Sequence, residues 1–350
     1  MMVLIGHGSY SLPLITYPFV MIIGNGSLGV SIFFVLSGFL IYNISLREVQ
    51  KTGTFDWRHF YIRRVLRIFP CFYFFIIVLL ILLNGGLIRL SWQTVVSAST
   101  FSLNYRHLWD HETGPSDYHV IGHYWTLALE EQFYLLWPLL MALERKRKLL
   151  TVLVLVMMLA PLLRVATYFF APGSRDQIGI MFHTSFDSIA AGVLLGEIFQ
   201  RPIILARLQI LAGNRLVSFG SIAFLTLISP LLQLHFRGAY GITIGRSLEL
   251  MSLCILITAA VSFPSTMLFR FLNWRPLVFV GVLSYSLYVW NNLFLNAGGR
   301  WPLNVFPMNL ASAVGMSLIS HFLVERPFLK LKSRFHSLPV PAVESQEKSG

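Results

Sequence analysis

Charged residues are scarce in this chain of 350 residues. They make up 12% of it and hydrophobic residues make up 55%, whereas a soluble globular domain carries about 25% charged residues. One water-soluble core cannot bury this much apolar surface. The composition therefore excludes an ordinary soluble enzyme and predicts an integral membrane protein.

Acidic residues are scarcer than basic ones: the chain has 15 Asp and Glu, 27 Lys and Arg, and a formal net charge of +12. A basic balance of this size can indicate a nucleic-acid partner, because cationic side chains displace counterions from phosphates. Here the basic residues fall in short clusters between apolar runs, which is typical of the cytoplasmic loops of membrane proteins. We therefore expect the lipid bilayer, and no nucleic acid, as a partner.

Signals for metal or redox chemistry are also sparse. The two cysteines, Cys71 and Cys254, lie inside apolar runs without metal-binding or redox spacing, so both are predicted to be small core residues. One loop is rich in possible ligands, but it has no H-E-x-x-H pattern, and we interpret it as a solvated loop without a metal. Its residues are His107, Asp110, His111, Glu112, Asp117, His119 and His123.

Long apolar runs are plentiful, and a helix needs roughly 20 such residues to cross a bilayer core of about 30 Å. The predicted spans are 28–46, 68–88, 124–143, 149–170, 182–199, 216–234, 244–262, 277–296 and 305–324, with an incomplete first span ending near His7. The predicted fold is all-α, a polytopic transmembrane helical bundle of about ten helices with the first incomplete in this chain. We expect one transmembrane domain over 1–332 and a polar, disordered cytoplasmic tail over 333–350.

The distribution of basic residues predicts the orientation of the bundle. If the spans alternate, most basic residues fall on one side, which the positive-inside rule assigns to the cytoplasm. The protein is thus expected in the inner (cytoplasmic) membrane, multi-pass, with a cytoplasmic C-terminus. The clusters are Arg47/Lys51/Arg58/Arg63/Arg64/Arg67, Arg145/Lys146/Arg147/Lys148, Arg201/Arg207/Arg215, Arg270/Arg275 and Arg326/Lys330/Lys332/Arg334/Lys348.

A few ionisable residues lie within the apolar runs, where a charge is costly unless it faces a cavity or a partner. For Glu197 and Glu249 the expected explanation is structural pairing or snorkelling. Glu130 differs, because one helix would hold Trp125, Glu130 and Tyr134 within about two turns, which suggests a lined cavity. Pairing of Glu130 with Arg164 or another buried cation is the structural alternative.

Six segments, in order, resemble the signatures of the acyltransferase family 3 membrane proteins, which include bacterial enzymes that acylate surface polysaccharides. The most specific is WTLALEEQFYLLWP, which is similar to W-[ST]-L-x-x-E-x-x-F-Y. The six are GVSIFFVLSGFLI from Gly29 to Ile41, YIRRVLRIFP from Tyr61 to Pro70, WTLALEEQFYLLWP from Trp125 to Pro138, HTSFDSIAAGVLLG around Asp187, SYSLYVW from Ser284 to Trp290 and ERPF from Glu325 to Phe328.

The resemblance implies transfer of an acyl group, with acetyl expected, from cytoplasmic acyl-coenzyme A to a hydroxyl of a cell-envelope or secreted polysaccharide. It implies His7 as the catalytic base, since an imidazole with a pKa of about 6.5 can take a proton from a sugar hydroxyl. Glu130 is the second catalytic candidate. No bound cofactor or metal is expected, and acyl-coenzyme A is a co-substrate. The implied substrate-binding residues are Arg63, Arg64, Arg67, Trp125, Tyr134, Asp187, Ser284 and Tyr285.

The three arginines suit a phosphate site because guanidinium groups bind phosphate oxygens bidentately, although an ordinary positive-inside anchor is an equal alternative. Three positions depart from the family pattern. The arginine that should precede His7 would lie before Met1, so we expect the gene to begin upstream; Ser185 replaces a frequent arginine and Asn291 a usual histidine. These departures leave open a catalytically impaired relative that acts as a binding partner. A transporter of acyl groups is a further alternative, although the paired halves typical of transporters are not found.

Overall fold

The structure is a computed structural model that describes residues 25–110, 116–236, 238–263, 267–295, 302–332 and 335. Over these residues the chain is helical and forms no β-strand. In chain order the α-helices are α1 Gly26–Thr52, α2 Trp57–Asn84, α3 Trp92–Ser99, α4 Trp125–Leu135, α5 Trp137–Arg145, α6 Leu149–Phe170, α7 Phe182–Ser185, α8 Asp187–Phe199, α9 Pro202–Gly213, α10 Arg215–Ala223, α11 Ser229–Phe236, α12 Arg246–Ser262, α13 Met267–Leu272, α14 Arg275–Phe294, α15 Met308–Ile319 and α16 Arg326–Lys332.

Six helices among the described residues are long and apolar enough to cross a membrane, and the bent pair α8 and α9 makes a seventh if it counts as one span. The prediction of an all-helical, multi-pass membrane protein is confirmed, but the count of about ten helices is not. The predicted first span near His7 lies outside the described residues. The six are Gly26–Thr52, Trp57–Asn84, Leu149–Phe170, Arg215–Phe236, Gly241–Ser262 and Arg275–Phe294.

The predicted span 124–143 consists of two short helices, which is one reason why fewer helices span the membrane than the sequence predicts. The helix breaks at Leu136, where α4 ends and α5 begins. Pro138 has no N–H to donate to the carbonyl of Tyr134, so a continuous helix would lose that bond. The Tyr61 hydroxyl instead lies 3.4 Å from this carbonyl oxygen and 3.1 Å from that of Leu135. The 11 and 9 residues of the two helices are each too few to cross about 30 Å.

A second predicted span, 182–199, is also interrupted. The chain turns at Phe186 between α7 and α8, and α9 then leaves α8 at an angle of 112°. Pro202 stands in the first turn of α9, where its missing N–H costs nothing because such groups have no partner inside a helix. Such breaks raise the number of helices above the number of spans.

Helices α1 and α8 cross at a close distance set by two glycines. A Cβ atom on Gly38 would lie 2.0 Å from the carbonyl oxygen of Ile189, and one on Gly192 would lie 1.9 Å from that of Val35. Small residues at such crossings allow two backbones to touch within a bilayer. The SGFL segment of α1 is therefore held firmly against α8, and this contact fixes the position of the adjacent Ser37.

The outer faces of the long helices remain apolar. Leu40, Leu155 and Leu231 are 54%, 62% and 56% exposed, as expected for side chains that face lipid. Cys71 is fully buried, as predicted, and its thiol lies 3.1 Å from the Ser320 hydroxyl. Of the predicted tail 333–350 the structure describes Phe335, whose backbone carbonyl accepts a hydrogen bond from Arg63 at 3.0 Å.

Candidate functional site

The short helix α4 occupies the centre of the bundle. It is buried on nearly every side, from Thr126 through Glu130 to Tyr134. The ring of Trp125 at its first position packs edge-on against Phe34 of α1, with ring centroids 5.9 Å apart. A buried helix in a membrane protein that carries a carboxylate needs polar partners for it.

A hydrogen-bonded cluster around Glu130 draws on three helices. Its Oε1 atom accepts hydrogen bonds from the Ser37 hydroxyl of α1 and from the Tyr134 hydroxyl one turn further along α4. The two hydroxyl oxygens are 2.6 Å apart. From α2, Arg64 donates to the Tyr134 hydroxyl oxygen at 3.2 Å, and its guanidinium carbon lies 4.2 Å from the centroid of that ring. We call these four residues the central cluster.

The central cluster joins Glu130 and Tyr134, which the sequence places on one helix, to Arg64 of the predicted phosphate site. Glu130 and Tyr134 are 6% and 1% exposed, so their hydrogen bonds form away from bulk water, where they are electrostatically strong. The alternative pairing of Glu130 with Arg164 is wrong, because the carboxylate is engaged by two hydroxyl groups and Arg164 pairs with another residue. A carboxylate that accepts from a hydroxyl can remove its proton, which is the arrangement of a general base and a nucleophile.

A basic cavity of about 330 Å³ adjoins the central cluster and includes Arg64 in its wall. It lies within the range of about 300–1,000 Å³ that is usual for small-molecule sites. Six of its lining residues are cationic, and the carboxylate Glu48 pairs with Arg63 at 2.5 Å. The lining residues are Ile41, Ile44, Ser45, Arg47, Glu48, Lys51, Phe60, Arg63, Arg64, Arg67 and Lys332.

A second, wide cavity of about 1690 Å³ lies at the other end of α1 and α4. Trp125 and Thr126 of α4 line it, as do Ser27 and Ser31 of α1. Its wall is rich in aromatic and polar side chains, which suits a large polar ligand with flat apolar faces. They include His119, His123, Arg164, Tyr168, Phe169, Arg175, Asp176, Gln233, Arg246, Glu249, Tyr288 and Asn292.

Helix α4 therefore connects the two cavities. It begins at the wall of the wide cavity with Trp125 and Thr126, and nine residues later Tyr134 touches Arg64 in the wall of the basic cavity. At ~1.5 Å per residue this distance is about 14 Å. Glu130 lies between the two ends, so the central cluster stands between the cavities.

Asp187 lies in a buried ion pair near the wide cavity. Its carboxylate contacts Arg164 at 2.7 Å, and the two side chains are 0% and 1% exposed. Arg246 lies 3.9 Å from the other carboxylate oxygen and donates to the hydroxyl of Ser185 at 3.0 Å. Where the family resemblance leads one to expect an arginine at Ser185, this chain supplies positive charge from α6 and α12 instead.

The remaining predicted site residues have different surroundings. Tyr285 donates its hydroxyl to the carbonyl of Ile68 at 2.7 Å and so ties α14 to α2. Ser284 is exposed, whereas Ser286 is buried and donates to Glu325 in the π-helical turn Ser320–Glu325. His7 lies outside the described residues. The expected structural pairing of Glu197 is confirmed by its contact with Arg201 at 2.5 Å.

The interpretation of the histidine-rich loop as solvated is wrong for two of its residues. His123 is buried and its ring packs edge-on against Tyr288 at 5.1 Å. Asp110 is also buried, and it accepts hydrogen bonds from Thr94 at 2.8 Å and from Arg106 at 2.8 Å. His111 and Glu112 lie outside the described residues. No group of three or more metal-ligating side chains occurs in the described part of the chain.

Lys332 and His119 lie outside the spans and have shifted pKa values. Burial, together with the positive charges of Arg67, Arg64 and Arg63, lowers the pKa of Lys332 to about 8. Partial burial also lowers the pKa of His119 below its usual value, although Asp117 acts in the opposite direction. At neutral pH Lys332 therefore remains mostly protonated, while His119 binds a proton less readily than a free imidazole does.

Sequence reasoning missed Ser37, Arg246 and Lys332. Each comes to its site by tertiary packing: Ser37 through the α1–α8 crossing, Arg246 across α8, and Lys332 from the last described helix. A signal was present for Ser37, since it lies in the SGFL part of a recognised segment. A serine in an apolar helix does not itself indicate which carboxylate it will meet.

The chain is similar in sequence to known acyltransferases. A family model described as an acyltransferase domain matches residues 1–325. The O-acetyltransferase OatA of Staphylococcus aureus (strain NCTC 8325 / PS 47) is 25% identical over 330 residues, which cover 88% of this chain and 53% of that protein. The putative peptidoglycan O-acetyltransferase YrhL of Bacillus subtilis (strain 168) is 27% identical over 286 residues, which cover 76% and 44%.

The chain thus spans about half the length of these curated relatives. No solved structure matches it.

Proposed function

Because the chain belongs to the acyltransferase-domain family, acyltransferase family 3, we propose that it moves an acetyl group from acetyl-coenzyme A to a hydroxyl of a cell-envelope polysaccharide. The observation that carries this proposal is the buried helix α4, which links a basic cavity to a wide polar and aromatic cavity through Glu130. The names of the relatives support the acetyl group and, for YrhL, peptidoglycan as the class of acceptor.

The basic cavity is the proposed donor site. Coenzyme A carries several phosphates, and guanidinium groups bind phosphate oxygens through paired hydrogen bonds. Arg63, Arg64 and Arg67 line one cavity together with three further cations, Arg47, Lys51 and Lys332. We place this end of the bundle in the cytoplasm, where acyl-coenzyme A is found, in agreement with the positive-inside rule. The membrane is then the cytoplasmic membrane and the C-terminus is cytoplasmic.

The wide cavity is the proposed acceptor site, on the opposite side of the membrane. Its volume of about 1690 Å³ exceeds that of a usual small-molecule site and offers room for more than one sugar ring. Glu130 and His7 are the proposed groups for proton transfer. A neutral sugar hydroxyl is a weak nucleophile near pH 7, so removal of its proton during attack lowers the barrier.

The departures Ser185 and Asn291 do not argue for an inactive relative. Ser185 accepts a hydrogen bond from Arg246, so positive charge is still present beside Asp187. Asn291 is fully buried, donates to the carbonyl of Tyr288 in its own helix, and lines neither cavity among the described residues. Both positions therefore have a structural explanation in this chain.

Purified protein in detergent should transfer radiolabelled acetyl from acetyl-coenzyme A to at least one member of a panel of muramic-acid-containing and other envelope glycans. Protein that is folded and monodisperse, yet neither binds coenzyme A nor labels any glycan, would remove the enzyme proposal. Binding of coenzyme A without transfer to any acceptor would support the binding-partner alternative instead.

The variant Arg67→Glu should raise the donor KM about tenfold or more, which corresponds to about 1.4 kcal/mol of lost binding. Arg67 is exposed in the wall of the basic cavity, whereas Arg64 also holds Tyr134 and would disturb two features at once. The matched control is Arg58→Glu, an equal charge reversal on α2 that does not line the cavity. Equal donor KM values for the two variants would contradict the phosphate role.

Lys332 should make donor binding depend on pH. Its pKa of about 8 means that its positive charge is present below that pH and is lost as the pH rises. A hydrogen bond to a charged group contributes about 1.5–3 kcal/mol, so the donor KM should rise severalfold between pH 7 and pH 9. Lys332→Arg, which stays protonated, should abolish this rise. A rise that persists unchanged in Lys332→Arg would assign it to another group.

A further inference from the structure

The middle of α1 lines neither the proposed donor cavity nor the proposed acceptor cavity. This helix lines the wide cavity as far as Ser31 and the basic cavity from Ile41 onward, and among the described residues none lines both. The segment from Ser31 to Ile41 rises about 15 Å at ~1.5 Å per residue. A donor in one cavity and an acceptor in the other are thus separated by about three helical turns. A residue that carries the acyl group would divide this distance into two shorter transfers.

Ser37 lies within this segment and has the surroundings of a nucleophile. Its hydroxyl donates to the Glu130 carboxylate and lies 2.6 Å from the Tyr134 hydroxyl. Nucleophilic hydroxyl groups are activated by an adjacent base that is itself oriented by a third group. Here Glu130 is the base, and Tyr134 orients it while being held in turn by Arg64.

Exposure distinguishes the two hydroxyl groups that share Glu130. Tyr134 is 1% exposed and lies beneath the guanidinium group of Arg64. Ser37 is partly exposed. A carbonyl carbon can therefore approach the Ser37 oxygen with less rearrangement than the Tyr134 oxygen. As Glu130 takes the Ser37 proton, the Tyr134 hydroxyl next to Ser37 can turn its own proton from Glu130 to the oxyanion that forms during attack.

We infer that Ser37 is a catalytic residue that carries the acyl group between the two cavities; this rests on the proposed function. In the first half-reaction, Ser37 Oγ attacks the thioester carbonyl carbon while Glu130 takes the hydroxyl proton. The carbon–sulfur bond breaks, and the leaving sulfur receives that proton. The products are an acyl ester on Ser37 and coenzyme A with a free thiol.

In the second half-reaction, the hydroxyl oxygen of the acceptor sugar attacks the ester carbonyl carbon. The bond from this carbon to Ser37 Oγ breaks, and the acceptor proton passes by way of Glu130 to Ser37 Oγ. The free serine is restored and the sugar leaves as its ester. The two steps together consume only the thioester and the sugar hydroxyl, and no further reactant is required.

The test is acid quenching of purified full-length chain mixed with radiolabelled acetyl-coenzyme A, first without and then with a glycan that accepts the label. We expect covalent label approaching one acetyl group per chain, located by mass spectrometry on the peptide that contains Ser37, and lost when the glycan is added. Initial rates with both substrates varied should give the parallel lines of ping-pong kinetics.

Ser37→Ala should lose the label and at least 99% of transfer. Ser37→Cys should retain a label, held as a thioester on the cysteine, which neutral hydroxylamine cleaves. The matched control is Ser286→Ala. Ser286 also donates to a buried glutamate, Glu325, but does not belong to the central cluster, and this variant should keep its label per folded molecule.

Wild-type protein that acetylates the glycan with intersecting rather than parallel kinetic lines, and with no adduct at any quench time, would overturn the carrier while leaving the proposed function intact. The same conclusion would follow from Ser37→Ala transferring at the wild-type rate. If Ser37→Ala does not fold, the wild-type adduct and the Ser37→Cys thioester decide the question. Wild-type protein that neither labels itself nor acetylates any glycan would instead contradict the proposed function.

Discussion

Glu130→Gln is expected to lower the rate of acetyl transfer at least 100-fold while the yield of folded protein stays close to that of the wild type. The amide preserves the shape of the side chain and can still accept one hydrogen bond, but it cannot remove a proton. General acid–base groups typically contribute a factor of about 10²–10⁴ to rate. The measurement is kcat per folded molecule, with the folded fraction determined by size-exclusion chromatography.

The matched control for this variant is Glu197→Gln. Glu197 is another buried carboxylate that accepts from a tyrosine hydroxyl, that of Tyr42, but it pairs with Arg201 and does not belong to the central cluster. Its substitution should lower thermal stability more than kcat. If Glu130→Gln behaved in the same way, with near-normal kcat and a lower melting temperature, the carboxylate of Glu130 would have a structural role.

Arg164→Met is expected to destabilise the protein by about 3–5 kcal/mol, because removal of one partner leaves the other charge buried and unpaired. Asp187 would lose its contact at 2.7 Å and keep only Arg246 at 3.9 Å. Arg164 also donates to the carbonyls of Thr184 and Ile242, so two buried acceptors would lose a donor. The measurement is thermal unfolding in detergent, with the loss of transfer activity compared at temperatures below the transition.

The control is Arg175→Met, which removes an arginine from the wall of the same cavity. Arg175 is exposed and lies over the ring of Tyr168 at 4.5 Å, so its loss should cost about 1 kcal/mol or less. Unequal destabilisation would identify the Arg164–Asp187 pair as a structural element beside the acceptor cavity. Equal and small effects would contradict the importance of the buried pair and return Asp187 to the list of substrate-binding candidates.

The long spans were predictable because each is an apolar run bounded by charged residues. Span 149–170 coincides with Leu149–Phe170, and span 216–234 lies within Arg215–Phe236. The interruptions were not predictable in the same way. The break at Leu136 depends on Pro138 together with the Tyr61 hydroxyl from another helix, and a hydropathy window does not contain that second partner.

The site residues also divide into those that the sequence predicted and those that depend on contacts between helices. Glu130, Tyr134 and the three arginines could be found from sequence, since ionisable residues are rare in apolar helices and are therefore conspicuous. Ser37 and Lys332 could not, because serine is common in apolar helices and a lysine after a span is explained by topology alone. Their roles depend on the contact between Ser37 and Glu130 and on the return of α16 to the basic cavity.

Transfer between the two sides of a membrane tests the central proposal most directly. The protein is reconstituted in sealed vesicles, and those with the basic end outward are captured through an affinity tag added at the C-terminus. Radiolabelled acetyl-coenzyme A is then supplied outside and an acceptor glycan is enclosed inside. We predict acetylated glycan inside the vesicles at a rate that Glu130→Gln lowers at least 100-fold. Label found only on glycan supplied outside, beside the donor, would contradict a path from the basic cavity to the wide cavity.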